Sequence, residues 1–310
     1  MIITLTLNPA IDKMLTVDDF QLDKVNRAKD VRRDIGGKGI NVSKVVAELG
    51  GKTTALGLLA GNNGNFIVNR LDELGIIHNF TWLDGETRTN LKLVDIQKSH
   101  EIEINEPGFR VTDSDIDNLK SDLLDTVTED DFVVLSGSLP RNVPSNIYAD
   151  LITDIKNSGG KAVLDTSGFP LTVGLKAKPY LIKPNLSELE ELVNEELETL
   201  DQIVRAGKKV YHQGIKVVII SLGSEGSIII SNQGVWKLTS SAVEVKSTVG
   251  AGDTLVGALV LQLNQGVKLK QAITYAAAAS VNSVTKPGTQ LCQQTEVEQF
   301  LELINVEELE

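Results

Sequence analysis

The sequence predicts an α/β protein in which a mainly parallel sheet is covered by helices on both faces, with a small second β-sheet inserted. Three observations lead there. From residue 113 onward, short continuous apolar runs alternate with helical stretches, the pattern of strands buried on both faces. Most of these runs end in a polar residue, as in Phe132-Val133-Val134-Leu135-Ser136, Lys161-Ala162-Val163-Leu164-Asp165 and Leu181-Ile182-Lys183. Two earlier stretches, 13–34 and 86–106, alternate polar and apolar with no helical period and read as strands with one wet face. No Pro- or Ser-rich linker and no internal repeat divides the chain. The expectation is one domain over residues 1–310, with the inserted sheet drawn from 13–34 and 86–106.

Taken in order, Ile2 to Leu7 forms a strand that Pro9 stops. Asp12 lies just past it, where ligands bind in open α/β sheets, or it is an ordinary turn residue. Gly36-Gly37-Lys38-Gly39-Ile40-Asn41 then opens an amphipathic helix that runs through Leu49 to Gly50-Gly51. The loop is neither a Walker A nor a dinucleotide fingerprint. Its glycines allow close backbone approach to a ligand and Lys38 supplies a cation, or the loop merely starts the helix. Thr53 to Ala60 reads as a buried strand and Asn65 to Leu74 as a helix.

Residues 86–94 and 100–105 read as an antiparallel hairpin, with Arg88 and Asn90 on one face. The planar fork of Arg88 suits a phosphate, and a solvated arginine is the alternative. Helices over 114–125 and 145–157 lead into the strands that begin at Phe132 and Lys161. Asn185-Leu186-Ser187-Glu188 has the spacing of a capping box. It also offers a carboxylate to Mg²⁺, which keeps much of its shell as water and bridges to phosphates. After Val217 to Ile220, Ser221-Leu222-Gly223-Ser224-Glu225-Gly226 is either a turn into Ser227 to Ile230 or backbone that leaves room for a flat nucleobase.

Ala242 to Lys246 alternates and reads as a strand end. Ser247-Thr248-Val249-Gly250-Ala251-Gly252-Asp253 follows, opening a nearly unbroken apolar helix from Thr254 to Leu263. Uncapped N–H groups at a helix start, at the positive end of its dipole, hold anions. Asp253 is an N-cap, a base that accepts a proton from an attacking hydroxyl, or both. An Ala-rich helix over 270–285 can pack closely against this one, and the acidic tail Val306 to Glu310 is expected to fray.

Composition bounds the function. The chain is 41% hydrophobic and 23% charged, ordinary for a soluble globular protein. It has no apolar run of about 18 residues, and Met1 to Leu7 reads as a strand rather than a targeting peptide. No membrane partner and a cytoplasmic location are therefore expected. A formal charge of −12 argues against nucleic acid as a partner but leaves room for a small anion held by local cations. The single Cys292 excludes an intrachain disulfide and a cysteine-based zinc site.

Two anion loops, a carboxylate base and a magnesium carboxylate make up the set that phosphoryl transfer needs. Gly36 to Asn41 and Thr248-Val249-Gly250-Ala251-Gly252-Asp253-Thr254 resemble the two defining motifs of the ribokinase-like (PfkB) sugar kinases. Asn185-x-x-Glu188 resembles that family's magnesium motif, and the match runs in order from Met1 to about residue 300. The resemblance implies a three-layer αβα sandwich with a β-sheet lid over the sugar, and ATP and Mg²⁺ as cofactors. It implies Asp253 as base, with Gly250, Ala251 and Gly252 around the transferring γ-phosphoryl group. Substrate would meet Asp12, Gly37, Asn41, Asn90 and Ser138, with Lys38 and Arg88 on its phosphate. Lys183, Ser221, Gly223, Gly226 and Asn282 would line the ATP pocket, and Asn185 and Glu188 would hold Mg²⁺.

Within the family, Thr4 to Asp12, Gly85 to Asn90 and Ser136 to Pro140 resemble the branch acting on phosphorylated hexoses. Glu103-Ile104-Asn105-Glu106-Pro107-Gly108 resembles the members that phosphorylate fructose 1-phosphate at its 6-hydroxyl, with tagatose 6-phosphate the nearest competing substrate. Exposed edges of the lid leave a homodimer open. A non-catalytic sugar-phosphate sensor would have no use for Asp253 beside an intact glycine pair, and a dinucleotide oxidoreductase lacks its fingerprint.

Overall fold

The computed structural model describes residues 1–98 and 100–309. Its main sheet is built on β1 (Ile2–Thr6), flanked in parallel by β4 (Thr53–Ala60) and β8 (Phe132–Ser136). Beyond β4, after α2 (Gly61–Glu73), lies β5 (Ile77–Leu83). Beyond β8 lie β9 (Lys161–Asp165), β10 (Leu181–Ile182) and β11 (Val217–Ser221), all parallel. The sheet then turns antiparallel through β12 (Ser227–Ser231), β13 (Gly234–Ser240) and β14 (Ile304–Glu308).

Every residue of β1 and β8 is buried, because both faces are covered. Ile3, Leu5, Val133 and Leu135 join the core under α3 (Asp113–Thr126) and α4 (Ile147–Asn157). Ile2, Phe132 and Val134 join the opposite core, under α1 (Lys38–Glu48), α8 (Ala251–Asn264) and α9 (Leu269–Val284). A fully buried aliphatic side chain contributes about 1.5–3 kcal/mol, so neither face can be surrendered to polar residues. The result is the three-layer α/β/α arrangement read from the sequence.

Small residues bring α1 and α8 together. A β-carbon at Gly257 would lie 2.8 Å from Val45 Cγ1, so only glycine allows this approach. Their starts consequently meet at the same edge of the sheet.

The smaller sheet has the order β3 (Asp30–Gly36), β2 (Ala10–Val17), β6 (Arg88–Asp95), β7 (His100–Asn105). β2 and β6 run parallel, and the outer pairs are antiparallel. β7 is exposed at every position, including Ile102 and Ile104.

Two readings need correction. Ala242 to Lys246 is not a strand: β13 ends at Ser240, and the following segment is mostly exposed, with no sheet face for its apolar residues to bury. The tail is not frayed up to Glu308. Ile304 and Val306 pack against the α9-side core while β14 pairs with β13, and Glu310 lies outside the described residues. Among the elements that went unread are β5, α5 (Gly168–Leu175) and α7 (Leu200–Tyr211).

Candidate active site

The C-terminal ends of the parallel strands bring Thr6, Ser136 and Asp165 to one edge, with Lys183 immediately after β10. The starts of α1 and α8 face them. Gly250 is the N-cap of α8 and adopts φ 78°, a left-handed conformation that glycine reaches without a β-carbon penalty. The helix begins at Ala251, so Asp253 occupies its third position and is not the N-cap; that reading is overturned. No side chain caps α8, which leaves its first-turn N–H groups available to an anion.

Asp253 is buried, and its Oδ2 accepts a 2.8 Å hydrogen bond from Asn41 Nδ2 on α1. Burial, reinforced by the nearby charge of Asp165, pushes its carboxyl up to about 6. The Asn41 bond and the charges of Lys38 and Lys183 act in the opposite direction. Asp165 is buried too, and burial disfavours its charge. Lys183 at 3.6 Å and Lys38 at 3.0 Å outweigh that and hold it below the usual carboxylate range. Gly252 packs close to this group, since a β-carbon there would lie 3.1 Å from Lys183 Nζ.

The smaller sheet closes the other side. Asp12 lies in β2 directly opposite Asn90 of β6, whose Nδ2 donates to Asp12 Oδ1 at 2.9 Å. Asp12 is therefore a strand residue rather than a turn residue. Gly36 beside it has no room for a side chain, because a β-carbon would fall 2.1 Å from Asp12 Oδ2. Burial raises the Asp12 pKa, against the Asn90 bond and the charges of Lys44 and Arg88. Arg88 is not a free surface residue: Nη2 donates to the Asn8 carbonyl at 3.1 Å and Nη1 to that of Glu106 at 3.2 Å. Asn8 Nδ2 in turn reaches Ser138 Oγ at 3.3 Å.

Buried polar atoms without partners are uncommon in folded proteins. Among the described residues they are Thr6 Oγ1, Asn8 Oδ1, Arg88 Nε, Asn90 Oδ1, Ser136 Oγ, Asp165 Oδ2 and Trp236 Nε1. All but Trp236 belong to this strand-end edge or to the facing β6. A polar ligand seated there would complete them. A depression of about 540 Å³ at the opposite edge, between the starts of β11 and α9, brings together Tyr180, Lys216 and Lys268 but no carboxylate.

The remaining expected residues divide. Lys38 is placed with Asp165 and feels Asp253 and Glu188, so it stands on the Asp253 side of the site rather than beside Arg88. Gly37 is the N-cap of α1. Asn185 and Glu188 form the complete capping box of α6 (Leu186–Val193), with both bonds at 2.8 Å. Ser221 bridges to Asn185, while Gly223 and Gly226 shape the hairpin between β11 and β12. Gly226 sits under the Leu238 carbonyl, where no side chain fits. Asn282 is fully buried and its amide is used within the chain, by Glu296 and by the Gln293 N–H at 2.8 Å each.

Sequence reasoning passed over Asn8, Lys44 and Asp165 as site residues. A polar residue closing an apolar run was a usable signal for Asp165. Nothing in the spacing marks Lys44, which looks like any solvent-side lysine of an amphipathic helix. Among the described residues no three His, Cys, Asp or Glu side chains are grouped to hold a metal. A cation here would rely on phosphate oxygens and water, as Mg²⁺ commonly does.

The chain is similar to known proteins over nearly its whole length. Residues 5–296 match the profile of the pfkB family carbohydrate kinases. The chain is 34% identical over 310 residues to 1-phosphofructokinase of Borreliella burgdorferi, covering 100% of this chain and 99% of that one. The 1-phosphofructokinase of Haemophilus influenzae matches with the same identity and coverage. The structure of phosphofructokinase-2 from Escherichia coli in complex with substrates and products is similar with a TM-score of 0.92 at 29% identity, covering 97% of this chain and 98% of that one. An uncapped helix start, a buried carboxylate and two flanking lysines suit phosphoryl transfer to an alcohol, and the chain belongs to the pfkB family of carbohydrate kinases.

Proposed function

We propose that the protein transfers the γ-phosphoryl group of ATP to the 6-hydroxyl of fructose 1-phosphate, giving fructose 1,6-bisphosphate and ADP. The observation that carries the chemistry is Asp253, a buried carboxylate with a pKa of about 6 between an uncapped helix start and Lys38 and Lys183. The full-length similarity to the 1-phosphofructokinases supports the choice of sugar.

Asp253 accepts the proton of the 6-hydroxyl as its oxygen bonds to the γ-phosphorus. The bond from that phosphorus to the bridging oxygen breaks, and ADP leaves with the electron pair. A base that titrates near the working pH is well matched to this task. Asn41 occupies Asp253 Oδ2, which leaves Oδ1 for the hydroxyl. The N–H groups over Gly250, Ala251 and Gly252, with Lys38 and Lys183, stabilise charge on the phosphoryl oxygens.

Asp12, Asn90, Asn41 and Gly37 orient sugar hydroxyls, while Arg88, Ser138 and Asn8 receive the phosphate already present. Lys38 thereby moves from the substrate phosphate to the transferring group. The turn at Ser221, Gly223 and Gly226 borders the nucleotide, and Asn282 holds the adjoining loop from behind. Glu188, Asn185 and the unpartnered Oδ2 of Asp165 fit a hydrated Mg²⁺, which when bound neutralises phosphate charge. The smaller sheet, residues 13–34 and 86–106, acts as a lid that excludes water from the transfer. Its outer strand β7 exposes Ile102 and Ile104 along an open edge, and a homodimer would cover them. A cytoplasmic location suits a reaction that draws on ATP. Among the described residues no helix is long and apolar enough to cross a membrane.

An ADP-release assay with Mg-ATP compares fructose 1-phosphate, fructose 6-phosphate, tagatose 6-phosphate and fructose. A kcat/KM preference for fructose 1-phosphate of about 100-fold, or 2.7 kcal/mol, is expected. The same preference for tagatose 6-phosphate would replace the sugar and keep the mechanism. No turnover with any of them would leave a sugar-phosphate sensor.

A further inference from the structure

Lys44 lies on α1, one turn beyond Asn41. Its Nζ stands 3.3 Å from Asn41 Oδ1 and 3.4 Å from the carbonyl of Ile35 on β3. Three carboxylates attract it from three elements, Asp34 of β3, Asp12 of β2 and Asp253 of α8, and Arg32 of β3 repels it. Burial is the strongest influence and draws its pKa below the ordinary lysine value. Enclosing an ammonium is costly unless it is paired and hydrogen-bonded.

The two ends of an amide have nearly the same shape, so bonding partners decide which way it faces. An ammonium only donates. Lys44 therefore holds Asn41 Oδ1 on its own side, and Nδ2 is left pointing at Asp253 Oδ2, 2.8 Å away. With the amide turned over, its NH₂ would meet an ammonium and its oxygen would meet a carboxylate. Two attractive contacts would become two repulsive ones.

We propose that Lys44 is a positioning residue for phosphoryl transfer: it locks the Asn41 amide so that Asp253 is held by Oδ2 and turns Oδ1 to the acceptor hydroxyl, and its positive charge attracts that carboxylate. The inference rests on Asp253 being the base, as proposed above. Lys44 and Asp253 attract one another. The strongest influences on Asp253 are its own burial, Asp165 at the end of β9, Asn41 and Lys38 of α1, and Lys183 after β10.

The test is the pH profile of kcat/KM for full-length Lys44→Met and Lys44→Arg, with Asp253→Asn as reference. Removing the cation favours protonated Asp253, so the acid limb of Lys44→Met moves to higher pH, by about one unit. Its kcat falls, KM for ATP is unchanged, and Lys44→Arg restores both limb and rate. Where Lys44→Met does not fold, Lys44→Gln keeps a donor for Asn41 without the charge, and its acid limb is expected to move in the same way. An acid limb that stays in place in the folded uncharged variant overturns the proposal. An acid limb that persists in Asp253→Asn removes the base beneath it, so the two failures are told apart.

Discussion

Helices α3, α6 and α7 begin with complete capping boxes, whereas α1 and α8 begin at glycines with no side-chain cap. The third-position residues make the difference concrete. Asp115, Glu188 and Gln202 fold back onto the backbone of their own N-caps. Asp253 holds the same position in α8 yet bonds across to Asn41 of another helix. In α3, α6 and α7 the third-position side chain closes its own helix end. In α8 that end is left open and the carboxylate is turned outward, the arrangement that the proposed phosphoryl transfer uses. α6 stands between the two, because its box is built from the residues proposed to meet Mg²⁺.

The largest effect that could break this contrast is at Asp253. Asp253→Asn is expected to lose roughly 10²–10⁴ in kcat, the usual contribution of a positioned general base. The same change should stabilise the fold at neutral pH. With a native pKa of about 6 against 3.8 unfolded, the unfolded chain releases this proton first as pH rises from about 4 to about 6. Stability falls through that window and stays lower above it. Removing the charge should recover about 2–3 kcal/mol at pH 7. Denaturant unfolding of both proteins at pH 4 and pH 7 checks the sign: a variant less stable at pH 7 would show that the carboxylate is a structural anchor.

Gly252→Ala comes next. Its methyl would crowd the end of the Lys183 side chain, which can move, so the fold should survive. A displaced lysine and obstructed first-turn N–H groups should lower kcat about tenfold, short of the 10²–10³ seen when an oxyanion donor is removed outright. Unchanged kcat in a folded variant would mean that the open end of α8 carries no anion.

The smallest effects sharpen the comparison from the capped side. Thr112→Ala at α3 should cost about 1 kcal/mol of stability and leave kinetics untouched. Glu188→Ala breaks the equivalent box of α6 and should cost a similar amount. Only Glu188→Ala should also raise the Mg²⁺ concentration needed for half-maximal rate. If the two variants titrate Mg²⁺ alike, Glu188 is a cap and nothing more.

The sequence by itself determined the buried parallel strands, their polar ends, the alternating stretches of the smaller sheet and the two glycine-rich helix starts. These are local patterns, set by the period of burial along a few residues. β5 and the tail strand β14 went unread because their burial pattern is incomplete: each edges the main sheet and keeps exposed residues. Ala242 to Lys246 shows the converse, an alternation that pairs with no strand among the described residues. Only the tertiary structure decided that Asp253 sits inside α8, that Asn41 binds it from 212 residues away, and that the partly buried Lys44 is attracted by Asp12, Asp34 and Asp253. Partnership across such distances depends on how closely α1 and α8 approach, and the small volume of Gly257 permits that approach without its spacing declaring it.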